Sequence, residues 1–223
     1  MNSTLKTSLI ALFSFLIGGG ITYFVVTKYK IEPLCKMIGH GAMAMQLVDL
    51  NQALRKLWSD HVFWTRDYII AAVGQAPDAK AALARLMKNQ EDLGHAIGSV
   101  YGKAAGDKAT QLLKEHISIS GDVVKYAMSG EQDKLKEADK RWHDNAVELA
   151  TFLHSANPEN WPYDALLSML NKHLDLTTQE AVARIKKDWE KDVATFDKVY
   201  DEILMMADAL TEGIGKQKFA SQM

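Results

Sequence analysis

Apolar residues recur at helical spacing along this chain, and around three histidines the same pattern returns. The segments read LWSDHVFWT, LLKEHISIS and MLNKHLDLT, with His61, His116 and His173 lying 55 and 57 residues apart. An apolar residue follows each histidine directly and another precedes it by four places, so each histidine lies on a largely apolar helix face. A hydroxyl residue stands four places after each histidine: Thr65, Ser120 and Thr177. A fixed period of this length predicts an internally repeated architecture.

A second polar position repeats with nearly the same period as the histidines. It is occupied by Asn89, Asn145 and Asp201, which are 56 residues apart in both intervals, and each has an apolar residue four places later. Each lies about as far after a turn signal as the histidine lies before it. We therefore expect each histidine to face its Asn or Asp across an antiparallel helical hairpin, where the side-chain oxygen fixes the imidazole tautomer.

The turn signals divide each repeat into two helices. Gly74 and Pro77 separate the first pair, Ser129 to Gln132 resembles a capping box, and Asp188 can cap a helix that begins at Trp189. We predict an all-α fold, in which an N-terminal transmembrane helix precedes a six-helix domain of three repeated αα-hairpins. The three hairpins can surround a common pseudo-threefold axis or form a short right-handed stack.

The predicted domain organisation follows from the same signals. We expect a membrane anchor and juxtamembrane segment over residues 1–36, a helical repeat domain over 37–215 and a tail over 216–223. Within the domain, the units cover about 45–102, 106–157 and 161–214.

Residues 7–26 form an uncharged apolar stretch between Lys6 and Lys28. About 20 helical residues span the hydrocarbon core of a bilayer. A cleaved signal peptide is the alternative, but the stretch is longer than a usual apolar region and no A-x-A-like site follows. We expect a signal-anchor and a single-pass membrane protein with an extracytoplasmic domain, although Lys28 and Lys30 after the span favour the opposite orientation.

Composition narrows the functional classes. A net charge of −2, with acids and bases interleaved, argues against nucleic acid as a partner. The single cysteine, Cys35, excludes an intramolecular disulfide framework and a cysteine-based metal cluster. The chain also lacks the Walker, G-x-S-x-G, H-E-x-x-H and dinucleotide-binding motifs.

Two interpretations of the polar centres remain open. In the first, the histidines form buried pairs with Asn89, Asn145 and Asp201 that fix helix register, because buried polar groups need partners. In the second, the three repeats direct their histidines to one site. Three imidazoles and the Asp201 carboxylate would then suit a transition metal such as zinc, iron or copper, or the site would take an organic ligand.

Several strings carry a resemblance to a known family. They are H-V-x-W-T-R from His61, N-Q-x-D-L-G from Asn89, Y-G at Tyr101, H-L-x-L-T from His173, A-R-x-x-x-D-W up to Trp189, and M-A-D-x-L-x-x-G-I from Met206. Over about residues 50–215 the chain resembles an uncharacterised family of small helical, envelope-associated bacterial and archaeal proteins. Members sometimes carry the names glycosyltransferase or acetylglutamate kinase. The resemblance supports the repeat positions and transfers no catalytic residue.

These observations lead to a functional expectation. We expect a membrane-anchored, non-enzymatic helical-bundle module that binds a protein partner or scaffolds a complex in the envelope. The alternative is a protein that binds a metal or small ligand through interior histidines of the three repeats. An enzyme with an unfamiliar helical site is the third possibility.

Overall fold

The computed structural model describes residues 12–17, 20–25 and 31–219, with side chains from residue 45 to residue 218. The chain divides into two compact units between Val48 and Asp49, and the unit that begins at Asp49 is here called the helical body. Six helices are present in the described residues: α1 Ile31–Val73, α2 Ala79–Tyr101, α3 Lys103–Ser129, α4 Gln132–Ala156, α5 Tyr163–Ile185 and α6 Trp189–Phe219. The all-helical body with six helices is therefore confirmed, and α6 continues past residue 215 into the predicted tail.

The N-terminal segment differs from its prediction where it is described. Leu12–Ile17 (β1) and Gly20–Val25 (β2) pair antiparallel, from Leu12 opposite Val25 to Ile17 opposite Gly20. Both strands are rich in aromatic or branched apolar residues, which favour extended backbone. None of the helices that the structure describes combines the length and apolarity needed to cross a membrane. The other residues of the predicted anchor lie outside the described ranges, and the anchor stays a prediction.

Local residues account for the ends of the helices. Helix α3 ends at Gly130, whose φ of +74° lies in the left-handed region that glycine adopts readily. The expected capping box is wrong, because Ser129 is the last residue of α3 and its hydroxyl donates to the Glu131 carboxylate at 2.9 Å. Asp188 caps α6 as predicted, since its carboxylate accepts from the Lys191 backbone N–H at 3.2 Å.

The three hairpins close into a ring within the helical body. Helices α2 and α3 approach so closely that a Cβ on Gly106 would lie 2.7 Å from the Gly94 carbonyl oxygen. At the opposite join, Asp208 of α6 accepts from Asn51 at 2.9 Å and from Arg55 at 2.5 Å on α1. Of the two arrangements left open by the sequence, the structure shows the pseudo-threefold one.

Equivalent residues of the three repeats form layers along the axis of this ring. The residues three places before the histidines belong to the main core: Trp58, Leu113 and Leu170. The residues eight places after the histidines form a separate small cluster: Ile69, Val124 and Ala181. The histidines thus lie between two apolar regions, where only paired polar groups are inexpensive to bury.

Candidate functional site

The three histidines converge inside the helical body. His61, His116 and His173 are 2%, 3% and 4% exposed. Their ring centroids are 5.7 Å apart for His61 and His173, 6.3 Å for His116 and His173, and 6.4 Å for His61 and His116. Each histidine comes from the first helix of its hairpin, α1, α3 or α5, so all three repeats contribute equally.

Each histidine forms a hydrogen bond with a side chain 29 residues later, on the second helix of its own hairpin. The Nδ1 pairs are His61 with Gln90 Oε1 at 3.2 Å, His116 with Asn145 Oδ1 at 3.0 Å, and His173 with Glu202 Oε2 at 3.0 Å. We call these six residues the histidine layer.

The sequence identifies one of these partners and misses two by a single position. Asn145 pairs with its histidine as expected. Asn89 is buried but donates to the Leu57 carbonyl at 2.9 Å. Its neighbour Gln90 forms the hydrogen bond with His61 instead. Asp201 lies exposed on α6, outside the layer, so the structure does not place it among the histidines. The signal that finds the partners is the constant offset of 29 residues, in place of the even 56-residue spacing.

The surrounding hydrogen bonds fix the tautomer of two of the three imidazoles. Gln90 Nε2 donates to the Leu86 carbonyl at 2.8 Å, so Oε1 is the atom that faces His61. Asn145 Nδ2 donates to the Leu112 carbonyl at 3.1 Å, which likewise turns Oδ1 toward His116. In unit three the partner is a carboxylate, which only accepts when ionised. Nδ1 of His61 and of His116 is therefore the donor to the amide oxygen, and Nε2 of these two rings is an acceptor.

The Nε2 atoms differ among the three units. The Trp142 indole N–H donates to His116 Nε2 at 3.2 Å. Within residues 45–218, no hydrogen bond reaches Nε2 of His61 or of His173. Unit two therefore forms a closed network in which both nitrogens of the imidazole are paired.

Three buried polar atoms of hairpins one and three lack a hydrogen-bond partner: Trp58 Nε1, Thr177 Oγ1 and Glu202 Oε1. The Trp58 ring meets the His61 ring edge-on with centroids 5.5 Å apart. Thr177 follows His173 by one helical turn. A buried carboxylate oxygen without a donor carries the full cost of lost hydration.

The other two hydroxyls of the repeats are occupied by local bonds. Thr65 donates to the His61 carbonyl at 2.7 Å, and Ser120 donates to the Ile117 carbonyl at 2.9 Å. Such bonds to the preceding turn satisfy a hydroxyl inside a helix without a second element. Thr177 is the exception in the set, and it belongs to the unit that also carries the carboxylate.

Burial keeps the first two histidines neutral. It lowers the pKa of His116 to about 3, and the neighbouring His173 adds to the effect, while the bond to Asn145 opposes it. Burial also lowers the pKa of His61 well below the usual value, with His173 and His116 contributing. Neutral imidazoles are acceptors at Nε2, so the interior of the layer is rich in lone pairs.

A buried charge cluster lies between α1, α5 and α6. The Arg66 guanidinium contacts Glu180 at 2.6 Å and Asp192 at 2.8 Å, and Arg184 contacts Asp192 at 3.2 Å. Burial raises the pKa of Glu180 to about 7 despite the favourable charge of Arg66. The ion pairs of Arg66 join hairpin one to hairpin three. Every charged group of the cluster has a partner, so none is left free to bind a ligand.

A small apolar cavity lies about one helical turn from the histidines. Its walls come from all six helices and include Leu54, Trp58, Leu113, Leu170 and Met206. Its volume of about 40 Å³ corresponds to a few water-sized groups. Trp58 contacts both the cavity and His61, so it separates the apolar space from the polar layer.

The donor atoms of the layer do not form a ready metal cage. Among the side chains from residue 45 to residue 218, no three or more His, Cys, Asp or Glu groups are arranged to hold a metal ion. The predicted set of His61, His116, His173 and Asp201 is thus brought together only in its histidines.

Comparison with known proteins returned no relative. No protein-family model, no curated protein and no solved structure matches the chain. The resemblance to envelope-associated helical proteins stays a prediction.

Proposed function

We propose that this chain is a non-enzymatic binding module that holds a small ligand in its histidine layer. The supporting observation is that three repeats direct their histidines to one buried point where several polar atoms have no partner. Interior sites between the helices of a bundle are a recurrent place for ligands and metals.

The alternative role for the layer is the fixing of helix register. Unit two shows what that role needs, because His116, Asn145 and Trp142 satisfy one another completely. Units one and three depart from it, because Trp58 Nε1, Thr177 Oγ1 and Glu202 Oε1 are buried without a hydrogen-bond partner. Since buried unpaired groups are costly, a guest that pairs them would stabilise the folded protein.

The test uses the full-length chain in detergent, purified without chelators and without a histidine tag. Native mass spectrometry and elemental analysis would be run on the unmodified protein, on His173→Gln and on His95→Ala. Gln in place of His173 can still donate to Glu202, and His95 is an exposed histidine of α2. We expect a stoichiometric ligand in the unmodified protein and in His95→Ala, and its loss in His173→Gln. No bound species in any of the three would contradict the proposal.

A second function is favoured by a separate surface. On the outside of α1 and α6, Phe63, Trp189 and Val193 are 50%, 51% and 54% exposed. The Phe63 ring contacts Phe196 at 5.5 Å and Tyr200 at 5.4 Å, so the apolar residues form one stripe. Exposed contiguous apolar surface is typical of protein-binding sites. The stripe supports the proposal that the module, anchored by residues 7–26 and lying outside the cytoplasm, binds a partner in the envelope.

Crosslinking of the full-length protein in its native membrane tests this second function. We expect Val193→Ser to abolish a discrete crosslinked product that Val147→Ser, an exposed valine of α4, leaves intact. Equal products from both variants, or no product, would argue against the stripe as an interface. Release of the protein from washed membranes after deletion of residues 7–26 would test the anchor.

A further inference from the structure

We propose that a groove between the start of α5 and the end of α6 binds a small carboxylate with an aromatic or branched apolar body. The groove has a volume of about 190 Å³ and is partly open to solvent. No residue of the histidine layer lines it, so the inference is independent of the function proposed above. Here it is called the hairpin-three groove.

The first support is the size of the groove. Small residues on both helices leave the space open, namely Ala165 on α5 with Ala209 and Gly213 on α6. Leu166 and Met169 complete an apolar wall. An apolar cavity of about 150 Å³ holds benzene. The groove therefore has room for one six-membered ring, or a branched chain of similar size, together with a carboxylate.

The second support is a buried donor at the wall. Trp161 is 2% exposed, and its indole Nε1 has no hydrogen-bond partner. The indole lies directly over Gly213, where a Cβ would be only 2.0 Å from Nε1. Both residues line the groove. Because a buried donor without an acceptor is costly, a ligand oxygen at this wall would stabilise the complex.

The third support is the end of α5. Pro162 is the N-cap residue, and no side chain caps the helix there. The first backbone N–H groups of α5 therefore lack helical partners, and the helix dipole favours negative charge at this end. Pro162 also lines the groove, which places the helix end beside the bound molecule.

The charged side chains around the groove agree with an anionic ligand. Lys216 lines the groove and pairs with Glu212 at 2.6 Å, so the two charges offset each other in the empty protein. Asp164 lies in the first turn of α5 but is exposed, and solvent screens its charge. A carboxylate in the groove can accept from Trp161 with one oxygen and approach Lys216 and the α5 end with the other.

The experiment is a fluorine NMR titration of the full-length protein in detergent with para-fluorobenzoate at millimolar concentration. Micelles without protein give the background, and para-fluorobenzamide is the neutral comparison of the same shape. We expect para-fluorobenzoate to bind at one site per chain, and more tightly than the amide. No binding of the benzoate, or equal affinity for the two compounds, would overturn the proposal.

Two variants place the binding in the groove. Trp161→Phe removes the indole donor and should weaken binding at least about tenfold, the effect of one charge-assisted hydrogen bond. Ala165→Leu fills the groove from an exposed position and should abolish binding without disturbing the core. The matched controls are Trp189→Phe and Ala194→Leu, which change exposed residues of α6 outside the groove. Unchanged affinity in Trp161→Phe or in Ala165→Leu would show that the molecule binds elsewhere and would reject the assignment.

Discussion

The centres of unit two and unit three occupy equivalent positions and behave differently. In unit two, His116 lies between Asn145 and Trp142, all side chains are neutral and every polar atom is paired. In unit three, His173 contacts a carboxylate whose second oxygen is buried and unpartnered, beside an unpartnered threonine. The helix geometry and the 29-residue offset are the same.

The comparison separates two uses of one buried histidine. A closed neutral network lowers the free energy of the folded chain and fixes the relative axial position of two helices. A network with unpartnered atoms does so incompletely, and the guest that we propose would complete it. Internal duplication makes the contrast informative, because unit two serves as a control for unit three within the same molecule.

Asn145→Leu is expected to have the largest effect. It leaves His116 Nδ1–H without a partner in a buried layer and removes the side-chain donor from the Leu112 carbonyl, which keeps its helical bond. A buried donor without a partner costs up to about 3 kcal/mol and the lost bond about 1 kcal/mol, so we expect the free energy of unfolding to fall by about 3–4 kcal/mol. Urea denaturation measures this loss. Glu202→Gln, the matched change in unit three, should alter stability by less than about 1 kcal/mol, because it keeps an acceptor and removes a buried charge. Similar losses in both variants would remove the distinction between the units.

Gln90→Glu should come next. It gives unit one the carboxylate of unit three, and it removes the donor that bonds the Leu86 carbonyl at 2.8 Å and the Asn89 side chain at 3.1 Å. We expect a loss of about 2–4 kcal/mol in the free energy of unfolding at neutral pH. The exposed change Gln52→Glu in α1 is the matched control and should be nearly neutral. A stable Gln90→Glu protein would show that the layer tolerates charge in any unit.

Acid should destabilise the fold through His116. Its pKa is lowered to about 3 in the folded protein, against an ordinary value of 6.5, so the unfolded chain binds more protons between these values. The contribution of His116 to the free energy of unfolding is complete above pH 6.5, and it falls by about 1.4 kcal/mol for each pH unit below that value. Urea denaturation at pH 7.5, 6.0 and 5.0 checks the slope.

Glu180 should act in the opposite direction. The pKa of Glu180 is raised to about 7 from 4.5. Its contribution to the free energy of unfolding is therefore complete below pH 4.5 and is lost as the pH rises through 7. The Glu180→Gln variant should therefore lose stability more steeply than the unmodified protein as the pH falls from 6.5 to 4.5. An identical slope in both proteins would show that Glu180 titrates normally.

Trp142→Phe is expected to have the smallest effect on stability. It removes one neutral hydrogen bond of 3.2 Å and keeps most of the aromatic packing against His116, so the loss should be about 1 kcal/mol. Thermal unfolding measures this loss, and Trp189→Phe, which changes an exposed tryptophan, is the control. A loss as large as that of Asn145→Leu would mean that the indole, and not the amide, holds unit two together.

The histidine positions could be predicted because they depend on local pattern. An apolar residue four places before His61 and another directly after it place the ring on the buried helix face, whatever the neighbouring helix does. The hydrogen-bond partner of each histidine could not be predicted in the same way. One residue along a helix turns the side chain by about 100°, so the choice between Asp201 and Glu202 depends on a helix shift of only about 1.5 Å.

The sequence by itself determined the six helices, the three repeats and the burial of one histidine in each, because these follow from residue spacing within single helices. Tertiary structure alone decided that the hairpins close around an axis and that the Trp142 indole N–H donates to His116 Nε2. It also decided that one oxygen of the Glu202 carboxylate is left without a partner. The physical reason is that these properties depend on distances between atoms of helices far apart in sequence. Packing of whole helices sets those distances, and no local pattern encodes them.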